Sequence, residues 1–199
     1  MRNIVVHTID TNNYSVEELL SSSYLKGSDL SIFNKYKCEE VKKEKIASAI
    51  LKNKFIKEYY VDEKGKPQAN HIFFNVSHSK GLVALALDEH PIGLDIELIR
   101  ETEDDIKRYI SSEEEYSYIK DDKSFFEIWT SKESISKCLG EGLNKQVKLI
   151  PALPLIGKKE YLNRHFISQQ KEYKNYIFSI TIESDEEEAF NILVGISYF

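Results

Sequence analysis

The chain has only two cysteines among its 199 residues, and no disulfide framework or metal-ligand spacing can be built from them. Cys38 and Cys138 lie far apart and read as reduced, structural thiols of a cytoplasmic protein. No apolar run approaches the ~18 residues that a membrane span requires, so no membrane association is expected. The N-terminus, MRNIVVHTID, turns polar and acidic after a few residues and reads as a first strand rather than a leader. Low-complexity tracts and linkers are also missing. There is no surplus of positive charge: the formal net charge of −6 argues against nucleic acid as a partner. The G-x-S-x-G elbow is absent, and no acid is placed to orient His78, which excludes a catalytic-triad reading. His7, His71, His90 and His165 show no ligand spacing.

What is present fits an ordinary globular protein, with 41% hydrophobic and 30% charged residues. The length suits one large domain or two small ones sharing an interface. Charge is unevenly spread. Residues 35–57 hold eight lysines against three glutamates, whereas 101–115 carry Glu101, Glu103, Asp104, Asp105 and Glu113, Glu114 and Glu115. Such runs are solvated helix faces, or else the lysine-rich one receives a phosphorylated ligand or an acidic partner.

Periodicity predicts the elements. Ser15 and Glu18 form a capping box ahead of a short helix, and 39–60 read as helical. Gly65 and Pro67 mark a turn. A three-strand meander is expected over 71–76, 82–87 and 92–98, with Ser77 to Gly81 as its first turn. A polar helix follows, then an amphipathic one over 124–139, stopped by Gly140. Strands are expected at 147–150, 164–169, 176–182 and 190–199. The order predicts an α+β fold of two lobes, 1–97 and 98–199.

Three segments carry chemistry. In P-I-G-L-D-I-E-L, Leu94, Ile96 and Leu98 share one strand face, and Gly93, Asp95 and Glu97 the other. The two carboxylates then stand about 6 to 7 Å apart along the strand. Like charges so placed need a cation, a proton or much water, and a hard divalent ion such as Mg²⁺ suits them. Taken alone, D-x-E reads more readily as the wet face of an amphipathic strand. In W-T-S-K-E-S-I-S-K, Glu133 and Lys137 are an i,i+4 pair, by themselves a surface ion pair. Lys132 falls at the edge of the apolar stripe, where an ammonium needs a partner or must snorkel. In N-V-S-H-S, Ser77, His78 and Ser79 form either a polar hairpin tip or a set of donors for a phosphate.

Taken in order, Asn75–Ser79, Gly93–Glu97 and Trp129–Lys137 resemble the three signature motifs of 4′-phosphopantetheinyl transferases of the surfactin-synthetase type. The resemblance runs from the first strand to about residue 180, and Gly65–Lys66–Pro67 matches the family's G-K-P turn. It implies two similar α+β lobes related by a pseudo-twofold axis, with coenzyme A and Mg²⁺ between them. Carried over, it implies Asp95, Glu97 and Glu133 as metal ligands and Lys137 as the pyrophosphate holder, with Lys132 supporting that region. Ser77 and His78 would contact the nucleotide, Lys66 the adenine side and Lys45 the 3′-phosphate. Glu114 roughly matches a further family acid, in a register blurred by its neighbours.

The implied reaction moves phosphopantetheine from coenzyme A to a serine of an acyl or peptidyl carrier protein, releasing 3′,5′-ADP. Asp95, Glu133 and Lys137 would carry the catalysis, and the base is Glu133 or a water. A monomer is expected. Three departures stand out. The chain is short between Cys38 and Lys45. Glu141 replaces a commonly basic residue, and the segment after Ser184 is either an extra strand or a contact with another chain. The competing readings are another Mg²⁺-dependent phosphoryl enzyme and a catalytically silent relative that binds coenzyme A or a carrier.

Overall fold

The computed structural model describes residues 2–27, 29, 33, 35–61, 67–140, 147–185 and 189–197. Alternation of apolar and polar residues builds its first strand, β1 (Arg2–Asp10), which buries Ile4, Val6 and Thr8 and exposes Asn3 and Val5. The predicted capping box opens α1 (Val16–Leu20): the Ser15 hydroxyl accepts from the Glu18 amide, and the Glu18 carboxylate accepts from the Ser15 amide. The lysine-rich helix α2 (Glu39–Phe55) buries Ile46, Ala47, Ile50 and Leu51 against Ile9, Val83 and Leu85. After a two-stranded ribbon, β2 (Tyr60–Val61) with β3 (Pro67–Gln68), the chain enters the hairpin β4 (Phe73–Ser79) and β5 (Leu82–Asp88). Lys80 and Gly81 make the turn at φ 47° and 87°, the doubly positive geometry that suits the twist of a two-residue hairpin.

Then come β6 (Ile92–Leu98), α3 (Asp104–Ile110), α4 (Glu113–Tyr118) and α5 (Asp122–Leu139). Asp121 caps α5 at its start, and Gly140, in the left-handed conformation, ends it. The strands β7 (Gly157–Tyr161), β8 (Arg164–Tyr173), β9 (Tyr176–Glu183) and β10 (Phe190–Ile196) complete the described elements.

The first sheet has the order β10-β1-β5-β4 and the second β6-β9-β8-β7. A repeat is visible in the topology. In each unit a strand leads through a helix to a hairpin, and that strand pairs antiparallel with the hairpin's second strand: β1 with β5, β6 with β9. The fold is thus α+β with two similar units. Their inner faces meet in one core, with Ile4, Val6, Ala84 and Ala86 against Leu94, Ile96, Phe178 and Ile180.

Four expectations are corrected. β6 does not continue a meander, because β1 already occupies that edge of β5; it opens the second sheet instead. The division between units therefore falls between β5 and β6, ahead of the expected 97/98. Residues 190–196 return to the first sheet, where β10 pairs parallel with β1 from Arg2↔Phe190 to Thr8↔Ile196. Residues 147–149 form a 3-10 turn rather than a strand.

Candidate active site

The site lies where the edge strand of each sheet meets the other, and side chains make that seam. On β4, residues 75, 77 and 79 share one face. Asn75 Oδ1 accepts from the Leu94 amide at 3.1 Å, Ser77 Oγ from Ile96 at 3.2 Å and Ser79 Oγ from Leu98 at 3.3 Å. The constant offset of nineteen positions means that β4 and β6 run parallel here, joined through side chains where a sheet would use its backbone. The amides of a sheet edge, otherwise unpaired, are satisfied in this way.

The same serines hold the two carboxylates. Ser77 Oγ donates to Asp95 Oδ1 at 3.0 Å, and Ser79 Oγ to Glu97 Oε2 at 2.7 Å. From α5, Lys137 Nζ donates to Asp95 Oδ1 at 2.6 Å and to Ser77 Oγ at 3.0 Å. Residues from all three motifs are therefore in direct contact. Arg100 reaches Glu97 Oε2 at 2.7 Å and the Leu98 carbonyl at 2.9 Å. Its guanidinium carbon stands 4.6 Å from the centre of the Phe126 ring.

Electrostatics at this point are short of positive charge. Burial pushes the Asp95 carboxyl above its usual range, Lys137 pulls it back, and Glu97 adds a smaller upward push. Glu133, half-buried one turn before Lys137, is raised to about 7 by burial first and then by Asp95, against the pull of Lys137. Asp95 Oδ2 is buried without a hydrogen-bond partner. A buried acceptor left over beside a carboxyl driven toward protonation is what a hard cation would satisfy, so the donor set fits a divalent ion in its chemistry. Among the described residues, however, no three carboxylate, imidazole or thiolate groups converge as a ready-made metal cluster. Glu97 is turned toward Ser79 and Arg100.

The other predicted residues separate into two groups. His78 lies on the opposite face of β4 from Ser77, with Nδ1 3.0 Å from Glu44 Oε2. Partial burial lowers its pKa, helped by the charges of Lys45 and Lys137 and opposed by Glu44 and Glu97. His78 and Glu97 share the wall of a cleft of about 720 Å³, whose rim includes Thr11, Lys43, Lys80 and Arg100.

Ser77 and Lys132 depart from expectation. Ser77 is not at a hairpin tip: it is buried, its single proton is given to Asp95 and its lone pairs accept from Ile96 and Lys137. Lys132, expected beside the pyrophosphate, is completely buried on the other side of α5. It pairs with Glu115 Oε2 at 2.8 Å and donates to the carbonyls of Ile150 at 2.6 Å and Val147 at 3.1 Å. Its ammonium holds the 147–150 turn to the helix. Of the three adjacent glutamates, Glu115 is buried, whereas Glu114, the one matched to the further family acid, is exposed. Lys66, with Gly65, and Glu141 lie outside the described residues.

Sequence reasoning missed Glu44 and Arg100, and did not count Ser79 among the site residues. Glu44 is a buried acid on the lysine-rich helix, and its Oε1 accepts from the Gly81 amide at 3.0 Å. An acid in a basic run was the available signal. Arg100, three residues after Glu97, was legible as a basic neighbour of the carboxylate strand.

The mixed α+β arrangement of two sheets and their helices is consistent with the 4′-phosphopantetheinyl transferase fold. Residues 91–187 match the model of the 4′-phosphopantetheinyl transferase superfamily, and this segment of the chain belongs to it. The chain is 40% identical over 89 residues to the 4′-phosphopantetheinyl transferase gsp of Aneurinibacillus migulanus, covering 41% of this chain and 38% of that protein. It is 30% identical over 127 residues to the 4′-phosphopantetheinyl transferase Sfp of Bacillus subtilis (strain 168), covering 55% and 57%. It is also 30% identical over 112 residues to the 4′-phosphopantetheinyl transferase HetI of Nostoc sp., covering 47% of each. The matched region thus spans between 38% and 57% of the length of these three relatives. Among the described residues no helix is long and apolar enough to cross a membrane.

Proposed function

We propose that this protein transfers the 4′-phosphopantetheine group of coenzyme A to a serine of an acyl or peptidyl carrier protein, with Mg²⁺, and releases 3′,5′-ADP. The observation that carries the reading is the contact of Ser77, Asp95 and Lys137, one residue from each motif, at the seam of the two units. The relatives, each named for this transfer, support it.

In this reading Asp95, Glu97 and Glu133 would hold the ion, with Asp95 Oδ2 as the unsatisfied acceptor. Bound there, Mg²⁺ would supply the positive charge that offsets the pyrophosphate and the departing 3′,5′-ADP. Lys137 offers its ammonium to a pyrophosphate oxygen, and His78, on the cleft wall, meets the nucleotide phosphate together with Lys45. The carrier serine Oγ forms a bond to the β-phosphorus as the bond to the bridging oxygen breaks. Its proton passes to Glu133 or to a water. The lysine-rich face of α2 attracts an acidic carrier. The cytoplasm, which keeps thiols such as those of Cys38 and Cys138 reduced, is the matching compartment.

The test is incubation with Mg²⁺, coenzyme A and a panel of apo carrier proteins, read by intact mass. A gain of one phosphopantetheine on at least one carrier is expected; no gain on any carrier sinks the reading.

A further inference from the structure

We infer that Glu44 is a positioning residue for His78: it accepts the imidazole's Nδ1 proton and so commits Nε2 to the nucleotide phosphate in the cleft. The inference rests on the proposed contact of His78 with that phosphate and deepens it by naming what sets the ring's tautomer and direction.

A neutral imidazole carries one proton, and the bond made by one ring nitrogen decides what the other offers. His78 Nδ1 lies 3.0 Å from Glu44 Oε2. A carboxylate oxygen only accepts, so the proton of this contact sits on Nδ1, and Nε2 is left for a ligand. Glu44 is itself fixed. It is buried, and its Oε1 accepts from the Gly81 amide at 3.0 Å. The Gly81 carbonyl in turn accepts from the Thr11 amide and from the Thr11 hydroxyl, each at 2.8 Å. The hairpin turn, α2 and the imidazole are thereby tied together, while His78 stays exposed on the cleft wall. His90 supplies the internal comparison. Its Nδ1 lies 3.0 Å from Asp88 Oδ1, but that pair is two residues apart within one turn, whereas the Glu44–His78 contact joins a helix to a strand.

The consequence is a proton requirement. With its Nδ1 proton given to Glu44, the neutral ring presents only a lone pair at Nε2, and it donates to a phosphate oxygen there only as imidazolium. Burial lowers the His78 pKa and Glu44 opposes this; Lys45 from α2 and Lys137 from α5 add to the lowering, and Glu97 from β6 opposes it. Lys43, Lys80 and Arg100 add positive charge at the rim of the cleft. The free ring is therefore mainly neutral above its ordinary 6.5, and an anion at Nε2 draws a proton from water as it binds. Phosphate affinity then falls as pH rises. Glu44→Gln reverses the arrangement: the amide oxygen keeps the Gly81 bond while the NH₂ donates to Nδ1, which places the neutral ring's proton on Nε2.

The experiment follows the full chain by nitrogen NMR of the imidazoles and by calorimetry with 3′,5′-ADP between about pH 5 and 8. In the nucleotide-free protein, neutral His78 is expected as the Nδ1–H tautomer in wild type and as Nε2–H in Glu44→Gln, with His90 unchanged as the reference. Wild-type affinity for 3′,5′-ADP is expected to fall at least about tenfold across this range relative to Glu44→Gln, the size of one charge-assisted hydrogen bond. An Nε2–H tautomer in wild type overturns the inference without any variant. So do equal tautomers, or parallel affinity profiles, in wild type and Glu44→Gln, since Glu44 would then act only as structure for the turn. If wild type binds no 3′,5′-ADP, the phosphate contact is wrong and the inference falls with it, whereas the carrier-mass assay judges the transfer reaction separately.

Discussion

Gly93 and Ser134 touch backbone to backbone: a Cβ on Gly93 would stand 1.9 Å from the Ser134 carbonyl oxygen and 2.5 Å from the Cys138 amide nitrogen. This approach brings α5 onto β6 and so sets Glu133 and Lys137 beside Asp95. Small hydroxyl side chains allow it, with Ser134 Oγ 3.1 Å from Ser179 Oγ and 2.8 Å from Thr181 Oγ1. Gly93→Ala must push the helix away. It is expected to cost at least the ~1–3 kcal/mol typical of overpacking and to reduce transfer more than Asn75→Ala does. Urea denaturation and the carrier-mass assay check both, and unchanged stability would contradict the close-packing account.

Lys132 is expected to matter for folding before it matters for substrate. It is buried with Glu115, and removing one member of such a pair strands the other charge, at a cost of roughly 3–5 kcal/mol. Lys132→Met should therefore lower stability sharply, and the double change Lys132→Met with Glu115→Leu should cost clearly less than the two single losses added together, the remainder reflecting the Ser112 cap and the Ala152 amide that Glu115 also serves. A double-mutant cycle by chemical denaturation measures this. Additive losses would mean that the pair is not coupled.

Glu133 gives a pH-dependent prediction. Its carboxyl titrates near 7 in the fold, against an ordinary 4.5. The folded state therefore holds an extra proton between those values, so this group's contribution is complete below about pH 4.5 and is lost as pH rises through about 7. Glu133→Gln should flatten the stability profile across that window. Carbon NMR of the metal-free protein should find the Glu133 pKa raised further in Lys137→Met, which removes the opposite charge, and lowered in Asp95→Asn, which removes the like charge.

Much of this was legible in the sequence for local reasons. The period-two pattern of 92–98 and the apolar stripe of α5 placed both carboxylates and Lys137, because helix and strand periods need no knowledge of distant partners. The seam was not legible, since Asn75, Ser77 and Ser79 acquire their roles only when β4 lies beside β6, and their spacing alone suited a polar turn equally well. The pairing of β10 with β1 joins opposite ends of the chain, and no local pattern announces it. Glu115 was within reach. Ser112 and Glu115 repeat the S-x-x-E box already read at Ser15 and Glu18, and that box fixes which of three adjacent glutamates turns inward.

Asp95 stands at the centre of the account, and Asp95→Asn tests it most directly, because it keeps the shape of a buried residue while removing its charge. Wild type and variant, matched for folding by circular dichroism, are compared by intact mass on the same apo carrier with coenzyme A and Mg²⁺. The account predicts that wild type loads the carrier and that Asp95→Asn loses at least about 100-fold in rate, in line with losing a charge-stabilising group. Near-normal loading by Asp95→Asn would contradict it.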